Sequence, residues 1–172
     1  MRRLVPIALA ALLTIGFVSP AAAAKPEKIP NEPIAQVFDC GFMVGLQDTF
    51  AKGDVRIFTP DKDGNVRLHA NGGFRSTLTN LEHPEITIDV SFFGHLKIIF
   101  NTDGTIWVKQ SQEVLWWFTD EADAAMFGLD PGVYIFSGKV EVLTDANFVA
   151  IAPASMKHAT VRDLCAELTP PV

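Results

Sequence analysis

The chain has 172 residues, with 14 Lys and Arg against 20 Asp and Glu, a formal charge of −6 at pH 7 and 2 cysteines. That length suits one domain around a single core. The acidic balance repels nucleic acid phosphates and anionic lipid headgroups, so neither is expected as a partner.

Residues 1–24 read as a signal peptide: Met1-Arg2-Arg3 is a basic start, and the apolar stretch that follows to Val18 is broken only by Pro6, Thr14 and Gly16. Ala21-Ala22-Ala23-Ala24 after Pro20 predicts cleavage behind Ala24, leaving Lys25 first and the protein secreted. Beyond it no unbroken apolar run exceeds the five residues of Val114-Leu115-Trp116-Trp117-Phe118, so no transmembrane span is expected in the mature chain. Residues 25–37, with Pro26, Pro30 and Pro33, predict an extended leader, and residues 38–172 a single β-domain.

Period-two alternation begins at residue 38. Phe38, Cys40, Phe42, Val44 and Leu46 share one side of a predicted strand. Strands at 54–59 and 66–70 are joined through Asp63-Gly64, a hairpin signal. Asn71-Gly72-Gly73 is read as a break before a strand at 74–81, and His83-Pro84 as a turn into 86–93, where Ile86, Ile88, Val90 and Phe92 point one way. Gly94-His95 is read as a tight link to 96–100, and Asp103-Gly104 as a second hairpin turn into 106–110. Strands at 114–119 and 133–143 follow, separated by a loop at 120–132 with room for one helical turn at 121–126. A strand at 148–152 and a strand or short helix at 161–168 end the chain.

Short strands at hairpin spacing predict an all-β fold: an antiparallel up-and-down β-barrel of about eight to ten strands, with a β-sandwich as the alternative. In an exported chain Cys40 and Cys165 have one possible pairing, and that disulfide would bring the first and last elements together. A reactive or metal-binding thiol lacks a neighbouring His or second Cys at useful spacing.

The Cys40-Gly41-Phe42 opening, the DG-linked hairpins and the closing Asp163-Leu164-Cys165-Ala166-Glu167-Leu168 resemble a group of small exported actinobacterial proteins with one Cys near each end and no assigned activity. The resemblance implies export, a disulfide and a β-rich fold. It implies no catalytic residues and does not extend to the 120–132 loop or to Trp116-Trp117.

Chemistry-bearing patterns are sparse. His69, His83, His95 and His158 form no metal-binding spacing, and His83 and His95 are expected in solvated turns. Asp61-Lys62-Asp63-Gly64-Asn65 lacks the glycine position and distal Glu of a calcium loop and reads as a turn. Asp120, Glu121, Asp123 and Asp130 read as a solvated acidic loop, and Asp89 and Glu141 as outward strand residues. No nucleophile elbow or phosphate loop is present, so no cofactor, metal or catalytic residue is assigned.

The aromatic residues are the most distinctive local feature. Trp107, Trp116 and Trp117, with Met126, Phe127 and Leu129 of the adjoining loop, are the expected ligand-binding group. The reading is a secreted non-enzymatic module binding a small apolar ligand or a cell-envelope component near one barrel end. The alternatives are a structural or interaction protein of the envelope and a barrel-scaffold hydrolase or isomerase.

Overall fold

A computed structural model describes residues 26–171. The expected signal at 1–24 lies outside the described residues.

Among the described residues, nine strands and two short helices follow in chain order: β1 (Glu27–Pro30), β2 (Ala35–Asp39), β3 (Met43–Ile57), β4 (Val66–Asn80), β5 (Thr87–Phe100), β6 (Ile106–Phe118), α1 (Glu121–Ala125), β7 (Gly132–Ser137), β8 (Val140–Thr144), β9 (Thr160–Asp163) and α2 (Leu164–Glu167). They form one antiparallel sheet in the order β1-β3-β4-β5-β6-β7-β9, with β2 also on β3 and β8 also on β6. The expected all-β antiparallel class is present, but the sheet does not close into a barrel.

The reason lies at a line of glycines. Gly53, Gly72 and Gly94 are direct cross-strand neighbours on β3, β4 and β5, and Gly94 faces Gln112 on β6. Added at Gly94, a Cβ would stand 2.4 Å from the Glu113 carbonyl oxygen and 2.6 Å from Val114 Cγ2. Other chain segments therefore press onto the sheet where side chains are missing. Gln112 has φ of 67°, and beyond it β6 leaves β5 and pairs with β7 instead. The sheet creases along this line rather than curling shut.

The same line corrects several boundaries. Gly72-Gly73 and Gly94-His95 are not breaks but lie inside the continuous strands β4 and β5. Conversely, the strand expected at 38–46 is split by a tight turn in which Cys40 N–H donates to the Phe42 carbonyl at 2.9 Å. The strand expected at 133–143 divides at Gly138, whose φ is 130°, and both halves return to β6. Within the expected leader, residues 27–30 form β1 and residues 35–37 begin β2, along the edge of β3. Residues 148–152 contribute only an isolated bridge, Thr144 to Ala150. Residues 161–168 supply both possibilities, most of β9 and then α2.

Each side of the crease has its own core. Leu68, Ile98, Ile106, Val108, Phe118, Phe136, Val140 and Val142 pack in the first. Phe38, Val44, Leu46, Leu78, Val90, Val133, Ile135, Leu164 and Leu168 pack in the second. Burying each large aliphatic or aromatic side chain contributes about 1.5–3 kcal/mol. Strand β7 serves both cores, Tyr134 and Phe136 turned to one and Val133 and Ile135 to the other. That explains its unbroken apolar Val133-Tyr134-Ile135-Phe136 run, since a strand covered on both faces has no polar side to present.

The Cys40–Cys165 disulfide fastens the β2–β3 turn to α2, with a Cα–Cα distance of 5.5 Å. Beside it the buried Asn80 donates from Nδ2 to the Leu168 carbonyl at 3.1 Å. Its Oδ1 accepts from the Glu82 and His83 amides at 2.9 and 3.0 Å.

Candidate functional site

The structure distributes the expected aromatic group over three places. Trp116, Met126, Phe127 and Leu129 pack together in the first core. Phe127 is 3 % exposed, and its ring centroid lies 4.7 Å from that of Phe118, 5.4 Å from Trp116 and 5.9 Å from Phe136. Trp117 points the other way, 5.5 Å from Phe38 in the second core. Trp107 stands on the outer face, where Lys109 Nζ lies 5.0 Å over its ring.

Hydrogen bonds hold the 120–132 segment down as a plug. Asp120 caps α1 by accepting from the Ala122 amide at 2.9 Å. Asp123 accepts from the Ala150 amide at 2.9 Å, and burial holds its carboxyl above the usual carboxylate range. Under the plug, Trp116 Nε1 donates to Gln110 Oε1, and Gln110 Nε2 donates to the Phe136 carbonyl at 2.9 Å. A buried glutamine thus ties the two halves of β6 to β7.

Among the described residues, no group of three or more His, Cys, Asp or Glu is placed to hold a metal ion. The acids weighed from sequence serve local structure. Asp61 Oδ1 accepts from the Asp63 and Asn65 amides, both at 3.0 Å, as a turn requires. Asp89 accepts from Thr77 Oγ1 at 2.7 Å, across the crease from Glu141.

What the sequence did not reveal lies on the outer face of the first lobe. The register sets Lys28, Arg56, His69, Lys97, Lys109 and Glu141 in one direct cross-strand row over β1, β3, β4, β5, β6 and β8. A second row, Asp54, Asn71, His95 and Ser111, runs beside it towards the crease. Directly opposed side chains have Cβ atoms roughly 4.5–5.5 Å apart, and like charges so placed destabilise a sheet. Asp54 offsets one end, pairing with Arg56 at 2.7 Å and Lys28 at 3.4 Å; its hydrogen bond from Arg56 is the chief reason its carboxyl titrates below the usual range. Glu141 offsets the other, 2.9 Å from Lys109.

Between them a recess of about 270 Å³ opens, lined by His69, His95, Lys97, Lys109, Ser111 and Lys139 among others. His95 Nδ1 faces Asn71 Oδ1 at 2.5 Å, so His95 belongs to a strand and not to the turn expected for it. The His69 ring packs 4.7 Å from Phe58, and its Nε2 is shut off from solvent without a hydrogen-bond partner, as is Arg67 Nε. Burial first, then Lys97, Arg67 and Arg56, pushes the His69 imidazole below its ordinary value of 6.5. Net charge concealed this face because it averages over a molecule whose charges are segregated.

Across the crease, the outer face carries a different recess, about 520 Å³ and mainly apolar, between β2, β3 and β4. Val37, Gly45 and Leu81 line it, whereas none of the six residues of the expected aromatic group lines either recess. Set against protein-family models, curated proteins and solved structures, the chain matches none of them.

Proposed function

We propose that this protein is an exported, non-enzymatic binding module that holds an anionic component of the cell envelope on the outer face of its creased sheet. One observation carries the reading: Arg56, His69, Lys97 and Lys109 stand side by side on four strands in an otherwise acidic chain. Folding gains nothing from opposing like charges, whereas an anionic partner removes their repulsion on binding. Export is supported by the composition of residues 1–24 and by a disulfide suited to an oxidising compartment. Of the two partner classes expected, the envelope component is favoured over a small apolar ligand, since Trp116 and Phe127 fill their space against Phe118 and Phe136.

The experiment is adsorption of the oxidised protein to dextran sulfate and to uncharged dextran across a salt series. Retention on the sulfated matrix alone, weakening as salt screens the charges, is expected. A Lys97→Gln, Lys109→Gln double variant should elute at lower salt. Equal retention on both matrices, or an unchanged elution point for the variant, sinks the reading.

A further inference from the structure

We propose that the recess over β4, β5 and β6 is a subsite for a singly charged phosphodiester, the linkage of a phosphate-joined envelope polymer, and that filling it is coupled to proton uptake on His69. This rests on the outer face being the anion-binding surface and names the group it recognises there.

The donor set selects the anion. Lys97, Lys109 and Lys139 bring compact ammonium charges, Ser111 a hydroxyl and His95 an imidazole, from two strands and the β7–β8 turn around one concavity. Such point donors suit a tetrahedral oxyanion approached from several directions. A planar carboxylate is matched best by a guanidinium fork, and no Arg lines the recess. Arg56 is turned to Asp54, and Arg67 lies over the Phe58 ring at 5.7 Å. Lys97 and Lys139 make no ion pair among the described residues, so the recess holds more positive charge than Glu141 balances. At about 270 Å³ and open to solvent, it has room for one phosphate with its two ester carbons.

The placement of His69 couples charge to occupancy. It faces Arg56 on β3 and Lys97 on β5, with Arg67 on its own strand. Lys109 and Glu141 lie further along the row, Lys139 stands across the recess, and Asp54 is already held by Arg56 and Lys28. With the recess empty, burial and then the nearby cations hold the ring below its ordinary value of 6.5. An anion in the recess supplies the missing counter-charge, so the imidazole holds a proton more tightly in the complex than in the free protein. Linkage then makes the complex tighter as pH falls through the interval between those two titrations.

Dimethyl phosphate is the probe, because its single charge is constant across the histidine range. The oxidised protein is titrated with it at about pH 8 and at about pH 5, following the ring signals of His69 and His95 by NMR. Saturable shifts are expected, with Kd about tenfold lower at the acid end. Acetate at equal ionic strength should bind at least about fivefold more weakly. His69→Gln, checked for a native spectrum, should still bind but lose the pH dependence; Lys139→Gln should weaken binding at both pH values. Retention on dextran sulfate together with acetate binding as tight as dimethyl phosphate, no shift with dimethyl phosphate, or an unchanged pH dependence in His69→Gln overturns this subsite and leaves the anionic face standing. Loss of retention on dextran sulfate removes both.

Discussion

Gly94 on β5 and Gln112 on β6 are direct cross-strand partners at the last pair the two strands share, and Gln112 takes a left-handed φ of 67° there. One residue pair thus sets where the sheet stops extending and starts to fold over itself. Gly94→Ala would press a methyl against the Glu113 carbonyl, an atom of backbone that cannot rotate away. We expect a loss of about 1–3 kcal/mol in chemical denaturation. Gln112→Gly, which relieves the left-handed conformation, should be neutral or stabilising by about 1 kcal/mol. A harmless Gly94→Ala would mean that the crease is not held by close approach.

The disulfide closes a loop with a sequence separation of 125. Constraining an unfolded chain over that length is worth about 5 kcal/mol in the loop-entropy picture, with native domains typically losing about 2–5 kcal/mol when the bridge is removed. The Cys40→Ser, Cys165→Ser double variant should therefore unfold at markedly lower urea concentration. A midpoint within error of the parent would show that Asn80 and the second core hold α2 unaided.

The basic row predicts that stability and binding move in opposite directions. Lys97 lies opposite Lys109, so Lys97→Glu replaces repulsion with attraction across that pair. Stability should rise by about 0.2–1 kcal/mol while dextran sulfate retention falls. A destabilised variant with undiminished retention would contradict the assignment of this face.

His69 also writes a signature into the pH dependence of folding. Its imidazole titrates lower in the folded protein than the ordinary 6.5, so below that value the unfolded chain takes up more protons. Its contribution to unfolding free energy therefore falls as pH drops from 6.5 towards the depressed folded value and levels off beneath it. His69→Gln should flatten that part of a denaturation profile recorded without added anion. An identical slope in parent and variant would place the titrating group elsewhere.

Much of the strand content is readable from alternation alone, because a one-sided sheet must place Ile88, Val90 and Phe92, or Val44 and Leu46, on its buried face. The Asp63-Gly64 and Asp103-Gly104 turns are equally legible, since Gly64 and Gly104 hold φ of 84° and 86°. Gly72, Gly73 and Gly94 are not, because glycine carries the same local signal in a turn and under a crossing segment. Barrel closure depends on whether β6 stays beside β5, and β6 departs at Gln112, where no alternation pattern announces the left-handed φ of 67°. The basic recess was invisible for another reason: Arg56, His69, Lys97 and Lys109 are far apart in the chain and become neighbours only once three registers are known. The spread of the aromatic group was not legible either, because Trp116 and Trp117, adjacent in sequence, project to opposite sides of the half of β6 that runs between the two cores.

Strand β7 is a party wall. Stripping Tyr134 and Phe136 from one room exposes the reverse side of Val133 and Ile135 in the other, so neither half can melt while its neighbour stays intact. The molecule, although creased into two halves, should come apart in a single step.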